Sequence, residues 1–302
     1  MGRDRGRSNR AKPQATRLAA FGIAACVLAA AVDAFFIEPK RLVLERVDIP
    51  IFNLPEAFDG YRIAILADLH YPRWADAAFV HKAVALANSF EPDLIAIPGD
   101  ICDKESDKPA PIPDLSGLFD DARAADGVVG VLGNHDHWFH ADSVREELAA
   151  NTPIKLIENT SITLERAGEL LAIGGVGDLW HGVVSPECAF AGVPPHVPRI
   201  LLAHNPDFAE EMTADIRVDL QLSGHTHGGQ VCIPFGQAMA MRRISNYGDK
   251  FRAGVVGGKH HRVYISRGIA SANHLRFCCP PEVTGITLRT SNDPRLIKHY
   301  CA

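Results

Sequence analysis

The chain lacks any excess of positive charge. Its 31 lysines and arginines are outnumbered by 36 aspartates and glutamates, which gives a formal net charge of −5 and a pI near 6.3. Nucleic-acid-binding domains usually carry a basic face, so the composition does not favour a nucleic acid as partner. Beyond Glu38 the chain also lacks low-complexity linkers and repeats of fixed period, so we expect residues 41–302 to form one domain.

The cysteines do not follow a recognisable metal-binding or disulfide pattern. The seven cysteines are odd in number and lack the paired spacing of a zinc ribbon or a small disulfide scaffold. Adjacent Cys278 and Cys279 are hard to bridge within disulfide geometry, so we interpret them as small buried hydrophobic residues. A Walker phosphate loop is missing too, because no Lys-Ser or Lys-Thr follows Gly174-Gly175-Val176-Gly177, which we expect to form a turn.

One long apolar run lies near the amino terminus. From Leu18 to Ile37 about twenty residues, interrupted by Asp33, are apolar enough to cross a membrane. Six basic residues precede this run, which by the positive-inside bias predicts a cytoplasmic amino terminus and an exported domain. A cleaved signal peptide is one alternative, because Val32-Asp33-Ala34 or Ala29-Ala30-Ala31 offers small residues for cleavage. A buried helix of the soluble domain is the least favoured alternative, because it does not explain the preceding basic cluster. We favour an uncleaved single-pass anchor over residues 1–37 in the cytoplasmic (inner) membrane.

The rest of the chain alternates strand-like and helix-like segments, which predicts an α/β fold. Short apolar runs of this kind are typical of strands buried on both faces, and open α/β sheets bind ligands just beyond their strands. The predicted strands are Tyr61–Ala67, Asp93–Pro98, Val128–Leu132, Arg199–Ala203 and Val218–Ser223, with helices predicted at Ala75–Ser89 and Ala141–Ala150. Every one of these strands is followed at once by polar residues, so we expect one shared site.

The polar residues after the first three strands combine carboxylates, an amide and imidazoles. Asp68 and His70 follow the first strand, and Asp100 follows the second behind a glycine that permits close backbone approach. The third strand leads into Gly133-Asn134-His135-Asp136, where Asn134 offers a neutral oxygen and Asp136 could orient the titratable His135.

The last two strands supply only imidazoles. His204 follows one strand, and His225 and His227 follow the other, two residues apart. In an extended segment that spacing points both side chains the same way, so that they could grip two adjacent ions, one each. Three oxygen ligands with four imidazoles suit Mn, Fe or Zn better than Ca or Mg.

In this order, the motifs Asp-x-His, Gly-Asp, Gly-Asn-His-Asp, a single His and Gly-His-Thr-His resemble the calcineurin-like metallophosphoesterase family. The resemblance runs from Tyr61 to Leu288, and three further segments, Gly228-Gly229-Gln230, Ser266-Arg267-Gly268 and Pro280-Pro281-Glu282, resemble its membrane-associated phosphodiesterase branch of the YaeI type. It implies a four-layer αββα sandwich of two mixed sheets flanked by helices.

The resemblance also implies a site with two divalent metal ions. One ion would be held by Asp68, His70 and His227, the other by Asn134, His204 and His225, with Asp100 bridging both. A hydroxide shared by the ions would attack phosphorus, and His135, oriented by Asp136, would protonate the leaving group.

The expected activity is hydrolysis of a phosphodiester or pyrophosphate bond in a lipid or cell-envelope substrate, as in a UDP-diacylglucosamine pyrophosphatase. A nucleotide phosphodiesterase or nuclease and a catalytically silent scaffold remain alternatives. The histidines outside the motifs are interpreted as surface or loop residues, among which His137 and His181 are the ones most expected to line the pocket, and Asp103 is expected to shape a loop. Four other loop residues receive no role, namely Arg73, Trp74, Asp178 and Trp180.

Overall fold

The computed structural model describes residues 11–104, 111–233, 238 and 241–297. An apolar helix, α1 (Ala11–Val32), comes first and continues through a π-helical turn (Asp33–Ile37) and a 3-10 turn (Glu38–Lys40). In the most apolar 18-residue window of the span Thr16–Lys40 only 6% of the residues are buried, so this part of the helix stands away from the rest of the protein. Its length and composition would allow it to cross a membrane, a test that a signal sequence also passes.

The strands that follow build two six-stranded sheets and one small ribbon. Their bounds are β1 (Val43–Phe52), β2 (Arg62–Ile65), β3 (Tyr71–Pro72), β4 (Leu94–Pro98), β5 (Cys102–Asp103), β6 (Val128–Val131), β7 (Ile154–Leu156), β8 (Thr160–Arg166), β9 (Glu169–Gly175), β10 (Arg199–Leu202), β11 (Leu220–Ser223), β12 (Gly254–Gly257), β13 (Arg262–Ile265) and β14 (Glu282–Ser291). The later helices are α2 (Ala77–Asn88), α3 (Asn134–Asn151), α4 (Pro186–Ala189), α5 (Phe208–Glu211) and α6 (Met241–Ile244).

Both large sheets are mixed. The first has the order β1-β14-β2-β4-β6-β7, in which β14 and β2 are antiparallel and the other neighbours are parallel. The second has the order β12-β13-β11-β10-β9-β8, with a parallel centre and an antiparallel strand at each edge. The five strands predicted from the sequence are confirmed, with ends shifted by at most two residues.

The two sheets pack face to face, and helices cover their outer faces. Ile65 and Val131 of the first sheet belong to the same buried cluster as Ile173 and Leu222 of the second. The helices α2 and α3 pack on the outer face of the first sheet, and α4 and α5 on that of the second. The expected αββα sandwich is therefore confirmed, and the predicted helices correspond to α2 and to part of α3.

The foot of the amino-terminal helix is attached to the sandwich. Glu38 is buried and accepts hydrogen bonds from the backbone amides of Cys278 (2.9 Å) and Cys279. The carbonyl of Ala34 accepts one from the amide of Arg276 at 3.0 Å. The turn after α1 is thus hydrogen-bonded to the loop that precedes β14.

The glycine-rich segment at residues 174–177 does not form the expected turn. Gly174 and Gly175 are the last residues of the buried strand β9. A Cβ atom on Gly175 would lie 2.5 Å from Cγ1 of Val131 and 2.7 Å from the carbonyl oxygen of Ile157. Gly175 is therefore required by close packing between the two sheets.

We expect Gly175→Ala to lower the free energy of unfolding by about 1–3 kcal/mol, because an added methyl group overpacks this contact. Gly257→Ala is the matched control, since a Cβ on this strand glycine meets nothing within 4 Å. Thermal unfolding of both variants in detergent measures the difference. Equal melting temperatures for the two variants would contradict the packing argument.

Candidate functional site

Polar residues from both sheets meet where five strands end. β2 leads to Asp68 and His70, β4 to Asp100 and β6 to Asn134, while β10 and β11 of the other sheet lead to His204 and to His225 and His227. Six of these seven predicted ligand residues are buried, and His227 is half-buried. The structure therefore brings all seven together.

The first group consists of Asp68, His70 and His227. One potential ligand atom from each residue lies within 4.8 Å of the others. Nε2 of His70 faces Nε2 of His227 at 3.0 Å, and Oδ1 of Asp68 lies 3.9 Å from the latter. The buried Oδ2 of Asp68 has no hydrogen-bond partner within the described part of the chain. Such converging, incompletely satisfied donors fit a metal ion.

The second group consists of His204, His225, Asn134 and Asp100. Nδ1 of His225 lies 2.9 Å from Oδ1 of Asn134 and 3.2 Å from Nε2 of His204. Nε2 of His204 lies 3.1 Å from the same amide oxygen. Two imidazole nitrogens and an amide oxygen thus point at one place.

Asp100 lies between the two groups. Its Oδ2 is 3.1 Å from Nε2 of His204 in the second group and 3.6 Å from Nε2 of His70 in the first. Its other oxygen accepts a hydrogen bond from the amide of His135 at 2.8 Å. One oxygen of this carboxylate is therefore placed to serve both groups.

In His204 and His225, a hydrogen bond from one ring nitrogen to a backbone carbonyl fixes which ring nitrogen faces the site. Nδ1 of His204 donates to the carbonyl of Pro98 at 2.8 Å, and Nε2 of His225 to the carbonyl of Ile244 at 3.2 Å. A carbonyl only accepts, so in the neutral form of each ring the opposite nitrogen is an acceptor that faces the site. This arrangement is usual for metal-ligating histidines.

Burial and charge keep two imidazoles in the neutral form that binds metal. Burial and the neighbouring His204 lower the pKa of His225 to about 3, and burial and His70 hold that of His227 well below its usual value. Burial also lowers the pKa of His204, but the Asp100 carboxylate outweighs burial and raises this pKa to about 10. The cluster thus attracts positive charge to its centre.

The backbone is unusual at the ligand positions. Five of the seven residues have positive φ, namely Asp68 (54°), His70 (47°), Asp100 (53°), His225 (71°) and His227 (51°). The segment that holds the last two is therefore a tight turn, and the expected extended conformation is wrong. As a result His225 faces the second group and His227 the first. Residues held in such conformations cluster at functional sites.

Glycines allow the ligand loops to approach one another. A Cβ on Gly133 would lie 2.3 Å from Oδ1 of Asp100, and one on Gly224 would lie 2.6 Å from Oδ2 of Asp68. Each glycine directly precedes a ligand residue, Asn134 in one case and His225 in the other. Any side chain at either position would displace a carboxylate of the site.

The carboxylate beside His135 is that of Asp103. Its Oδ2 lies 3.1 Å from Nδ1 of His135 and 3.4 Å from Nδ1 of His70. Burial would lower the pKa of His135, but the Asp103 carboxylate and the charge of Asp100 raise it overall. Asp103 was expected only to shape its loop. Its position three residues after Asp100 was the available signal.

Asp136 does not contact the His135 ring in the structure. Its buried carboxylate accepts hydrogen bonds from the amides of Ile101, Cys102 and Gly133. The expected pairing of Asp136 with His135 is therefore corrected: Asp136 caps α3 from its first turn and joins that helix to the Asp100 loop. The contrary outcome has a geometric cause, because adjacent residues at the start of a helix point in different directions.

Aromatic side chains flank the site. The rings of Trp180 and His225 lie 4.7 Å apart, and those of Trp138 and His135 lie 4.5 Å apart. Nε1 of Trp138 donates to Nε2 of His181 at 2.7 Å. His181 thus belongs to the rim, as expected, and Trp138 is a rim residue that the sequence did not single out.

Comparison with known proteins identifies this arrangement. The family model for calcineurin-like phosphoesterases matches residues 61–229, a range that holds every residue of both groups. The chain belongs to the calcineurin-like phosphoesterase family. It is a metallophosphoesterase, a hydrolase that acts on phosphoester bonds, and membership of this family implies divalent metal ions.

Three relatives cover most of the chain. It is 31% identical to the metallophosphoesterase YkuE of Bacillus subtilis over 85% of this chain and 89% of that protein. It is 32% identical to the phosphodiesterase YaeI of Escherichia coli, over 76% and 82% respectively. For the UDP-2,3-diacylglucosamine pyrophosphatase LpxG of Chlamydia trachomatis the identity is 26%, over 82% and 89%.

Solved structures are more distant. The NAD nucleotidase of Haemophilus influenzae superposes with a TM-score of 0.43 at 14% identity, over 70% of this chain. The chain spans about half of that protein, 51% of its length.

We expect Asp103→Asn to lower kcat for an aryl phosphodiester by about 10–100-fold, the usual effect of removing a partner that orients a site imidazole. Asp136→Asn should instead lower the free energy of unfolding by about 1–3 kcal/mol, because a carboxylate with three backbone donors loses acceptors. Steady-state kinetics and thermal unfolding of both variants separate these effects. If Asp136→Asn selectively lost kcat while Asp103→Asn did not, the pairing of Asp136 with His135 expected from the sequence would be correct after all.

Proposed function

We propose that this protein hydrolyses a phosphodiester or pyrophosphate bond with two divalent ions held by the two ligand groups. The observation that carries the proposal is the position of Asp100, one oxygen of which faces His70 of the first group and His204 of the second. Asp68, His70 and His227 would hold one ion, and Asn134, His204 and His225 the other, with Asp100 shared. Bound ions of this kind supply Lewis acidity and an activated water.

The charge of the site would favour an anionic substrate. The two carboxylates among the predicted ligands, Asp68 and Asp100, would neutralise only part of the charge of two divalent ions, since Asn134 contributes a neutral oxygen. A phosphate group is therefore attracted to the site. The mixture of nitrogen and oxygen ligands supports Mn, Fe or Zn as the ions.

The role of general acid is assigned to His135. Its ring is half-buried beside the site, Asp103 lies at its Nδ1, and Trp138 packs against it. The opposite nitrogen, Nε2, can then deliver a proton to the departing oxygen of the substrate. Asp103 would hold the ring in position and stabilise its charged form.

We propose a lipid or cell-envelope substrate. The apolar helix, which would anchor the protein in the cytoplasmic membrane with its catalytic domain on the exported face, supports this assignment. So does the similarity to LpxG, whose substrate is an acylated nucleotide sugar by its name. Residues 1–37 would then be the tail and anchor, and residues 41–302 the catalytic domain.

We expect chelation to abolish hydrolysis of bis-p-nitrophenyl phosphate by the full chain in detergent, and added Mn²⁺ to restore it. Two ions per chain in the untreated protein, measured by mass spectrometry of the metal content, would accompany this activity. Asp100→Asn should reduce both the metal content and kcat, whereas Asp142→Asn, at an exposed carboxylate of α3, should change neither. Hydrolysis that survives complete removal of metal would overturn the proposal.

We expect His135→Ala to lower kcat by about 10²–10⁴-fold while two ions stay bound, because the variant loses a proton donor and no ligand. His196→Ala, at an exposed position outside the site, is the matched control. Loss of metal from His135→Ala would show instead that His135 is a ligand.

A further inference from the structure

An apolar groove lies between the foot of the amino-terminal helix and α2. Its volume is about 800 Å³, within the roughly 300–1,000 Å³ usual for sites that bind small molecules. Phe35, Phe36 and Pro39 line it on the side of the membrane helix, and Trp74 and Phe79 on the side of the catalytic domain. It is separate from both metal-ligand groups.

The groove is lined in part by residues near the carboxyl end of the candidate membrane span. Phe35 and Phe36 belong to the candidate span Thr16–Lys40, and Phe36 remains 67% exposed. An exposed aromatic residue at the end of a membrane span lies at the boundary between the acyl chains and the headgroups. Apolar chains of the membrane can therefore reach the groove without passing through water.

Positive charge surrounds the apolar lining. The lining includes Lys40, Arg73 and Lys82 but a single carboxylate, that of Asp76. The Asp76 side chain already accepts a hydrogen bond from the amide of Phe79, as the cap of α2. The guanidinium of Arg73 lies 4.9 Å from the Trp74 ring. Cations around an apolar floor match the combination of an acyl chain and an anionic headgroup.

One end of the groove adjoins the candidate catalytic site. Nη1 of Arg73 lies 3.5 Å from Oδ1 of Asp103, whose other oxygen lies 3.1 Å from Nδ1 of His135. The segment that carries Arg73 follows directly on the ligand His70. A molecule in the groove would thus have its polar end next to the residues assigned to proton transfer.

We propose that this groove binds the acyl chain of a phosphate-bearing membrane lipid, with the phosphate directed past Arg73 towards the metal-ligand groups. The inference rests on the proposed function and names the part of the substrate that the enzyme recognises. The membrane helix and α2 form the two walls, so the helix both anchors the protein and completes its lipid site.

The test compares two substrates that differ only in chain length, ethyl and hexadecyl p-nitrophenyl phosphate, in mixed detergent micelles with the full chain. Ala78 is an exposed residue of α2 that lines the groove, and Ala85 is an exposed residue of the same helix outside it. The wild-type protein should prefer the hexadecyl substrate in kcat/KM. Ala78→Trp should reduce that preference by at least about tenfold, because the indole would exclude part of the hexadecyl chain from the groove. Each methylene that is buried strengthens binding roughly fourfold.

Ala85→Trp controls for effects of the bulky side chain on folding and on micelle binding, and it should keep the wild-type preference. The groove is refuted if Ala78→Trp and Ala85→Trp show the same preference, or if the wild-type protein does not distinguish the two substrates. Thermal unfolding of both variants verifies that each is folded.

A second measurement is independent of turnover. Phosphatidylglycerol with a diazirine in its acyl chain is incorporated into vesicles with the full chain and activated by light. Crosslinks to the peptides that hold Trp74 and Phe79, reduced in Ala78→Trp but kept in Ala85→Trp, support the groove even if neither aryl substrate is hydrolysed. That result would contradict the proposed hydrolytic function but not the proposed lipid groove. If the crosslink yield is the same in Ala78→Trp as in the wild-type protein, the proposed lipid groove is refuted.

Discussion

The buried carboxylate of Asp100 is the group on which the rest of the site depends. Burial disfavours its charged form, but the neighbouring imidazoles, His204 first among them, outweigh burial and hold its pKa well below the usual value. Burying a charge without a partner is costly, so the surrounding groups must compensate for it. The two sheets meet this requirement together, because His70 comes from one and His204 from the other. A site of this kind does not form on either sheet alone.

Bringing these ligands together carries a conformational cost. Five of the predicted ligand residues adopt positive φ, which costs on the order of 1 kcal/mol for each residue that is not glycine. Neighbouring glycines such as Gly133 and Gly224 limit the cost by letting the loops approach without clashes. The buried cluster between the two sheets keeps the loop ends in place, so strain is concentrated where the chemistry requires it.

The amino-terminal apolar helix and the candidate site are connected through one loop. Glu38, just after the helix, binds the amides of Cys278 and Cys279, and the neighbouring Arg276 is fully buried. The Arg276 guanidinium donates to the carbonyl of His227 at 3.2 Å and to that of Arg267 at 2.8 Å. The turn after the apolar helix is therefore joined through Arg276 to the backbone of His227, so the foot of this helix has a defined position relative to the candidate site.

The sequence by itself determined five strands that lead into the site, the helix α2, part of α3 and the seven predicted metal-ligand residues, because apolar runs that end in polar residues are local patterns. It also indicated the family through the order of its motifs. Tertiary structure alone decided which carboxylate lies beside His135. The segment after β4 places Asp103 next to the His135 ring, whereas the Asp136 side chain, at the start of α3, accepts hydrogen bonds from backbone amides. The conformation of the His225–His227 turn and the groove between the foot of the apolar helix and α2 were likewise decided by packing. Backbone direction at a strand end and contacts between distant segments depend on the whole fold, and neighbours along the chain do not reveal them.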